Sequence, residues 1–95
     1  QKRAEAEARQ RVAEARKPFE KKIAAIEKEL ASLQPEKDAL DAFLASEEAY
    51  AEAMRDTLAE RSRRHGELAG RISQLEEDWL WASAAMEAEV NRARG

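Results

Sequence analysis

Cysteine is absent from the 95 residues, glycine occurs three times and proline twice, and aromatic residues make up only 5 % of the chain. Without cysteine there is no disulfide framework and no thiolate metal site, which suits a cytoplasmic protein. Few β-branched residues and no alternating apolar pattern leave no credible strand, so no sheet is expected. The longest mostly apolar run, Trp79 to Met86, is far below the length of a membrane span, and no signal peptide is visible. Large apolar side chains are scarce too. Of the 41 apolar residues 21 are alanine, which leaves about twenty to build a core. A compact fold needs more, whereas a pair of helices needs only a narrow seam.

What the chain has is charge, at 39 %, and periodicity. From Phe19 the large apolar residues fall at Ile23, Ile26, Leu30, Leu33, Leu40 and Leu44, with Lys37 filling the missing step. The steps alternate between four and three, which is a heptad seam, and the same phase extends backwards through Arg16 and Val12 to Arg9. A second seam runs Met54, Leu58, Arg61, His65, Leu68, Ile72, Leu75, Trp79, Ala82, Met86. These seams predict an all-α, antiparallel two-helix coiled-coil hairpin, a single domain over 1–95. Helix 1 spans about 2–44, the tip about 45–50 and helix 2 about 51–93. The chain opens in mid-helix pattern at Gln1, so it reads as a fragment of a larger protein.

Folding the chain at that tip sets a register in which facing seam positions add to 98. Val12 then meets Met86, Phe19 meets Trp79, Ile23 meets Leu75, Ile26 meets Ile72, Leu30 meets Leu68, Leu40 meets Leu58 and Leu44 meets Met54. The flanks agree with it: Lys22 falls near Asp78, Glu29 near Arg71, Glu36 near Arg64 and Asp41 near Arg55, against one like-charge pair, Glu20 with Glu76. Such exposed pairs select register more than they stabilise. Pro18 and Pro35 lie off the seam, and the unbroken phase favours a kink at Pro35 over a break at Gln34.

Candidate functional positions are few. Lys37 and Arg61 face each other in an apolar layer and must splay outward, either as a register device or as part of a basic face with Arg63 and Arg64. Arg3, Arg11, Lys17, Lys21 and Lys28 share the outer face of helix 1, where phosphates could reach them; the competing reading is a solvated face. The net charge of −3 argues against strong, indiscriminate nucleic-acid binding. Leu80 and Trp81 point away from the partner helix and suggest a protein-docking corner, through which two hairpins could also pair weakly. Gly66 and Gly70 soften helix 2 or admit a close neighbour. His65, without a second histidine or any cysteine, is a poor metal ligand. There is no phosphate loop, no oxyanion turn and no Ser, His and Asp set, so the fragment is expected to be non-catalytic and without cofactor or metal.

The run Lys17, Pro18, Phe19, Glu20, Lys21, Lys22, Ile23, then Ile26, Glu27, Lys28, Glu29, Leu30, the tip Leu44 to Tyr50, and Leu75, Glu76, Glu77, Asp78, Trp79, Leu80 resembles the C-terminal domain of ABC-F ATP-binding-cassette proteins, on their YheS and Uup side. That resemblance covers nearly the whole chain. It implies a soluble, cytoplasmic, ribosome-associated parent whose cassettes bind ATP and magnesium and hydrolyse the ATP. This hairpin would then be an arm that contacts DNA, ribosomal RNA or the ribosome in support of the cassettes. Trp81, Pro35 and the overall acidity depart from the family pattern. Two other readings compete: a purely structural or protein-docking hairpin without nucleic-acid contact, and the helical arm of a tRNA-synthetase-like enzyme.

Overall fold

A computed structural model describes all residues, Gln1–Gly95. The chain is an all-α helical hairpin. Helix α1 runs Lys2–Leu44 and helix α2 runs Arg55–Arg94, with no strand. Pro18 and Pro35 stand inside α1 without ending it, so the break at Gln34 does not occur. Both prolines are exposed, where the backbone groups they leave unbonded meet water rather than a packed neighbour. The buried residues of each helix fall on one face only, so packing between the helices holds them.

The connection is longer than the sequence suggests, because α2 begins at Arg55. Residues 51–54 have helix-forming composition, yet Ala51 is extended (φ −65°, ψ 146°) and separates two 3-10 turns, Glu48–Tyr50 and Glu52–Met54. Side-chain hydroxyls impose this. The Ser46 Oγ donates to the Phe43 carbonyl at 2.6 Å and accepts from the Ala49 backbone N–H at 3.3 Å. The Tyr50 phenol donates to the Leu44 carbonyl at 2.7 Å. These are carbonyls of the last turn of α1, which have no partner within the helix. Two hydroxyls therefore do what a left-handed glycine does at many helix ends. Consistent with that, no non-glycine residue has positive φ. Ala49 is fully buried at the tip.

Contacts divide the chain into two units, Gln1–Lys28 with Glu76–Gly95, and Glu29–Leu75. In the second, Leu68, Ile72 and Leu75 are buried, and Leu30, Leu33, Leu40, Leu44, Met54 and Leu58 are partly covered. Its register is fixed by two bidentate pairs. The Arg71 guanidinium donates to both oxygens of Glu29 at 2.7 and 2.8 Å, and Arg64 to both oxygens of Glu36 at 2.6 and 2.9 Å. These are pairs the heptad register predicts. Asp41 goes elsewhere, accepting from the Lys37 ammonium at 3.0 Å and lying 2.6 Å from His65 Nε2, so its expected partner Arg55 is displaced.

In the first unit Ile23, Ile26, Ala82 and Val90 are buried, while Val12, Phe19 and Met86 are partly covered. The heptad phase drifts toward its end. Ala8 rather than Arg9 is partly covered, and Val90 is buried four residues after Met86 instead of the seam moving on by three. A straight helix repeats every 3.6 residues and a supercoiled seam every 3.5, so apolar steps of four and four favour less supercoiling there. Trp79, expected in the seam, is still 37 % exposed, because a flat indole is too long to lie wholly within a two-helix interface.

Candidate nucleic-acid interface

Nine cations were candidates for phosphate contact, and the structure separates them by what they already touch. Arg3 lies 3.6 Å from Glu7 one turn on, and Arg63 pairs with Glu67 in the same way. Arg64 is held by Glu36 and approaches Glu67 at 3.6 Å. Arg11 donates its Nε–H to the Ala93 carbonyl at 3.2 Å and so caps the C-terminal end of α2. Lys37 and Arg61 do not splay into solvent as a free pair. Lys37 bends to Asp41, and the Arg61 guanidinium sits 4.3 Å over the centre of the Phe43 ring, where the ring's electron-rich face attracts it.

Three candidates are left without an ion pair, a hydrogen bond or a ring contact: Lys17, Lys21 and Lys28, all exposed. Their spacing of four and seven residues puts them on one stripe of α1, about 17 Å long at 1.5 Å per residue. The intervening position on that stripe is Ala24, so no acid interrupts it.

Three acids of the tip-containing unit, Glu29, Glu36 and Asp41, are held in their ionised form. The Arg71 hydrogen bonds keep the Glu29 carboxyl below its ordinary value of 4.5, and those of Arg64 do the same for Glu36. Hydrogen bonds from His65 and Lys37 lower Asp41 from its ordinary 3.8, and Glu36 raises Arg64 in return. Because Asp41 is a carboxylate at neutral pH, His65 Nε2 must carry the proton and donate it. His65 thus ties the two helices together.

No family model, curated protein or solved structure matches the chain. Its chemistry therefore has to be read from its own side chains. No group of three or more His, Asp or Glu side chains is placed to hold a metal ion, and no helix is long and apolar enough to cross a membrane.

Leu80 and Trp81 are exposed, at 63 and 72 %, as the helical phase predicts. Gly66 and Gly70 border open space, since a Cβ added at either meets nothing within 4 Å. One basic cluster escaped the periodic reading. Arg9, Arg16 and Arg94 line a groove of about 460 Å³ over Ala8, Val12 and Ala13. The available signal was an arginine at two seam positions, Arg9 and Arg16, on either side of Val12, with alanines beside them where bulk would have closed the surface.

Proposed function

We propose that this hairpin is the non-catalytic arm of a cytoplasmic ABC-F-type ATP-binding protein, and that it rests on the phosphate backbone of DNA or ribosomal RNA through Lys17, Lys21 and Lys28. ATP and magnesium belong, in this reading, to cassettes in the parent protein. The observation that carries the nucleic-acid contact is the stripe of three exposed lysines without ion pairs, on a chain whose other candidate cations are spent internally. A cation already paired gains little by exchanging a carboxylate for a phosphate, whereas a solvated lysine releases condensed counterions when it binds.

Three contacts predict a slope of about −2.7 for log affinity against log salt on duplex DNA, hence a loss of about 40-fold between 50 and 200 mM salt. Fluorescence anisotropy with labelled DNA and structured RNA measures it. Reversal to glutamate at Lys17, Lys21 and Lys28 removes the slope, whereas Arg63→Gln leaves it unchanged. Equal slopes in the two variants, or no binding at low salt, refute the contact.

The second reading is a protein-docking hairpin, favoured by the exposure of Leu80 and Trp81. Trp81→Ala separates the two. It leaves the salt slope intact in the first and weakens assembly with the cassettes, or a weak homodimer, in the second.

A further inference from the structure

The groove formed by Arg9, Arg16 and Arg94 has no part in the lysine stripe. Its side chains all belong to the unit Gln1–Lys28 with Glu76–Gly95. Arg9 and Arg94 are exposed and carry no ion pair. Arg16 differs from both. Its Nε is shielded from solvent and has no hydrogen-bond partner, and the nearest carboxylate, Glu20, stands at 3.8 Å, beyond hydrogen-bond reach. The rest of the Arg16 side chain is part-exposed and lines the groove, so its charge is incompletely neutralised there.

The local field favours an anion despite the acidic chain. Three guanidinium charges face one carboxylate, Glu20, and the C-terminal end of α2, whose dipole amounts to about half a negative charge. The balance is about +1.5 on a protein of net charge −3. Planar guanidinium forks match the oxygens of a phosphate in pairs, which lysines do not. The floor of Val12, Ala8 and Ala13 gives room beside the charges for an uncharged ligand body.

We infer that this groove is a binding site for a phosphate monoester, either free phosphate or the terminal phosphate of a larger molecule. Arg16, whose Nε is covered, offers the exposed remainder of its guanidinium from the wall, and Arg9 and Arg94 close over the outer oxygens. The site requires both helices, because Arg9 and Arg16 come from α1 and Arg94 from α2.

Inorganic phosphate, titrated at constant ionic strength against chloride, tests it through the arginine Nε–Hε signals in NMR. The Arg16 signal shifts and saturates, and Arg9→Gln and Arg94→Gln each weaken the binding at least about tenfold. Both substitutions are at exposed side chains, and circular dichroism verifies that the helices persist. Arg3→Gln, outside the groove, changes nothing. Acetate in place of phosphate leaves the Arg16 signal where it was. A short single strand with a 5′-phosphate, compared with its 5′-hydroxyl counterpart, identifies the source: tighter binding of the phosphorylated strand points to a nucleic-acid end, and equal binding to a free phosphate. Shifts that are linear with concentration, that affect all arginines alike, or that survive loss of Arg9 and Arg94 overturn the assignment. The lysine stripe is untouched in these variants, so a failed groove and a failed stripe give separate results.

Discussion

Replacing Leu68 by alanine is the sharpest test of the hairpin, because an equivalent replacement nearby should do almost nothing. Leu68 is 2 % exposed and is the largest side chain that is fully covered. Leu80, twelve positions on along the same helix, is 63 % exposed. Burial of a leucine stabilises by about 1.5–3 kcal/mol, and truncation to alanine in a core costs about 2–5 kcal/mol once the cavity is included. A two-helix interface can collapse or admit water more readily than a globular core, so the lower end applies, about 2–3 kcal/mol. For a chain of this size each kcal/mol moves Tm by about 4–8 °C, which makes the expected fall about 8–24 °C. Leu80→Ala removes little covered surface and trades one good helix former for a better one, so its effect stays within about 0.5 kcal/mol. Thermal and urea unfolding followed at 222 nm measure both. Similar shifts for the two variants, or a loss under about 1 kcal/mol for Leu68→Ala, would refute the assignment of the seam.

Acid should loosen the tip-containing unit. Glu29, Glu36 and Asp41 have folded-state pKa values below their ordinary ones of 4.5, 4.5 and 3.8, so the unfolded chain binds more protons and stability rises with pH. Their contribution is complete above about pH 5 and is lost as pH falls through the lowered values; a Tm that fails to drop between pH 5 and pH 3, or drops equally in a Glu29→Gln, Glu36→Gln, Asp41→Asn variant, contradicts the pairing. At Gly66 and Gly70 alanine has open space and a better helix propensity, so each replacement stabilises by about 0.5–1 kcal/mol, with destabilisation in urea unfolding counting against the helical phase of that face.

Sequence periodicity alone made much of this hairpin legible. The seam from Phe19 to Leu44 predicts helix 1 over about 2–44, and α1 occupies Lys2–Leu44. The register that places Glu29 by Arg71 and Glu36 by Arg64 is realised as two bidentate pairs. Periodicity fails where one local bond decides the backbone. Nothing in the Ala and Glu content of residues 51–54 announces the extended Ala51, since it follows from hydroxyls at Ser46 and Tyr50 gripping carbonyls of α1. It fails again where three groups compete for one acid, as Lys37 and His65 outbid Arg55 for Asp41. Among the candidate cations the pattern was partly readable, because Arg3 with Glu7, Lys37 with Asp41 and Arg63 with Glu67 all stand four residues apart. The Arg9, Arg16 and Arg94 groove was not, because it depends on which small residues of α1 fail to fill a surface next to the last turn of α2.

The latch of Ser46 and Tyr50 has a kinetic side. It holds the tip against the last turn of α1 within a stretch of a few residues, so the chain begins to reverse before any distant contact is needed. From there the bonds between helices close loops of increasing length: 24 residues for His65 with Asp41, 28 for Arg64 with Glu36, 42 for Arg71 with Glu29 and 82 for Arg11 with Ala93. In a chain that is otherwise open, closing the last of these directly costs about 1 kcal/mol more entropy than closing the first. Once the shorter loops are formed, that difference shrinks to the few residues still unpaired. The hairpin is therefore built to zip from the tip toward the termini, with the base, where Arg9, Arg16 and Arg94 line their groove, the last part to assemble and the first to fray.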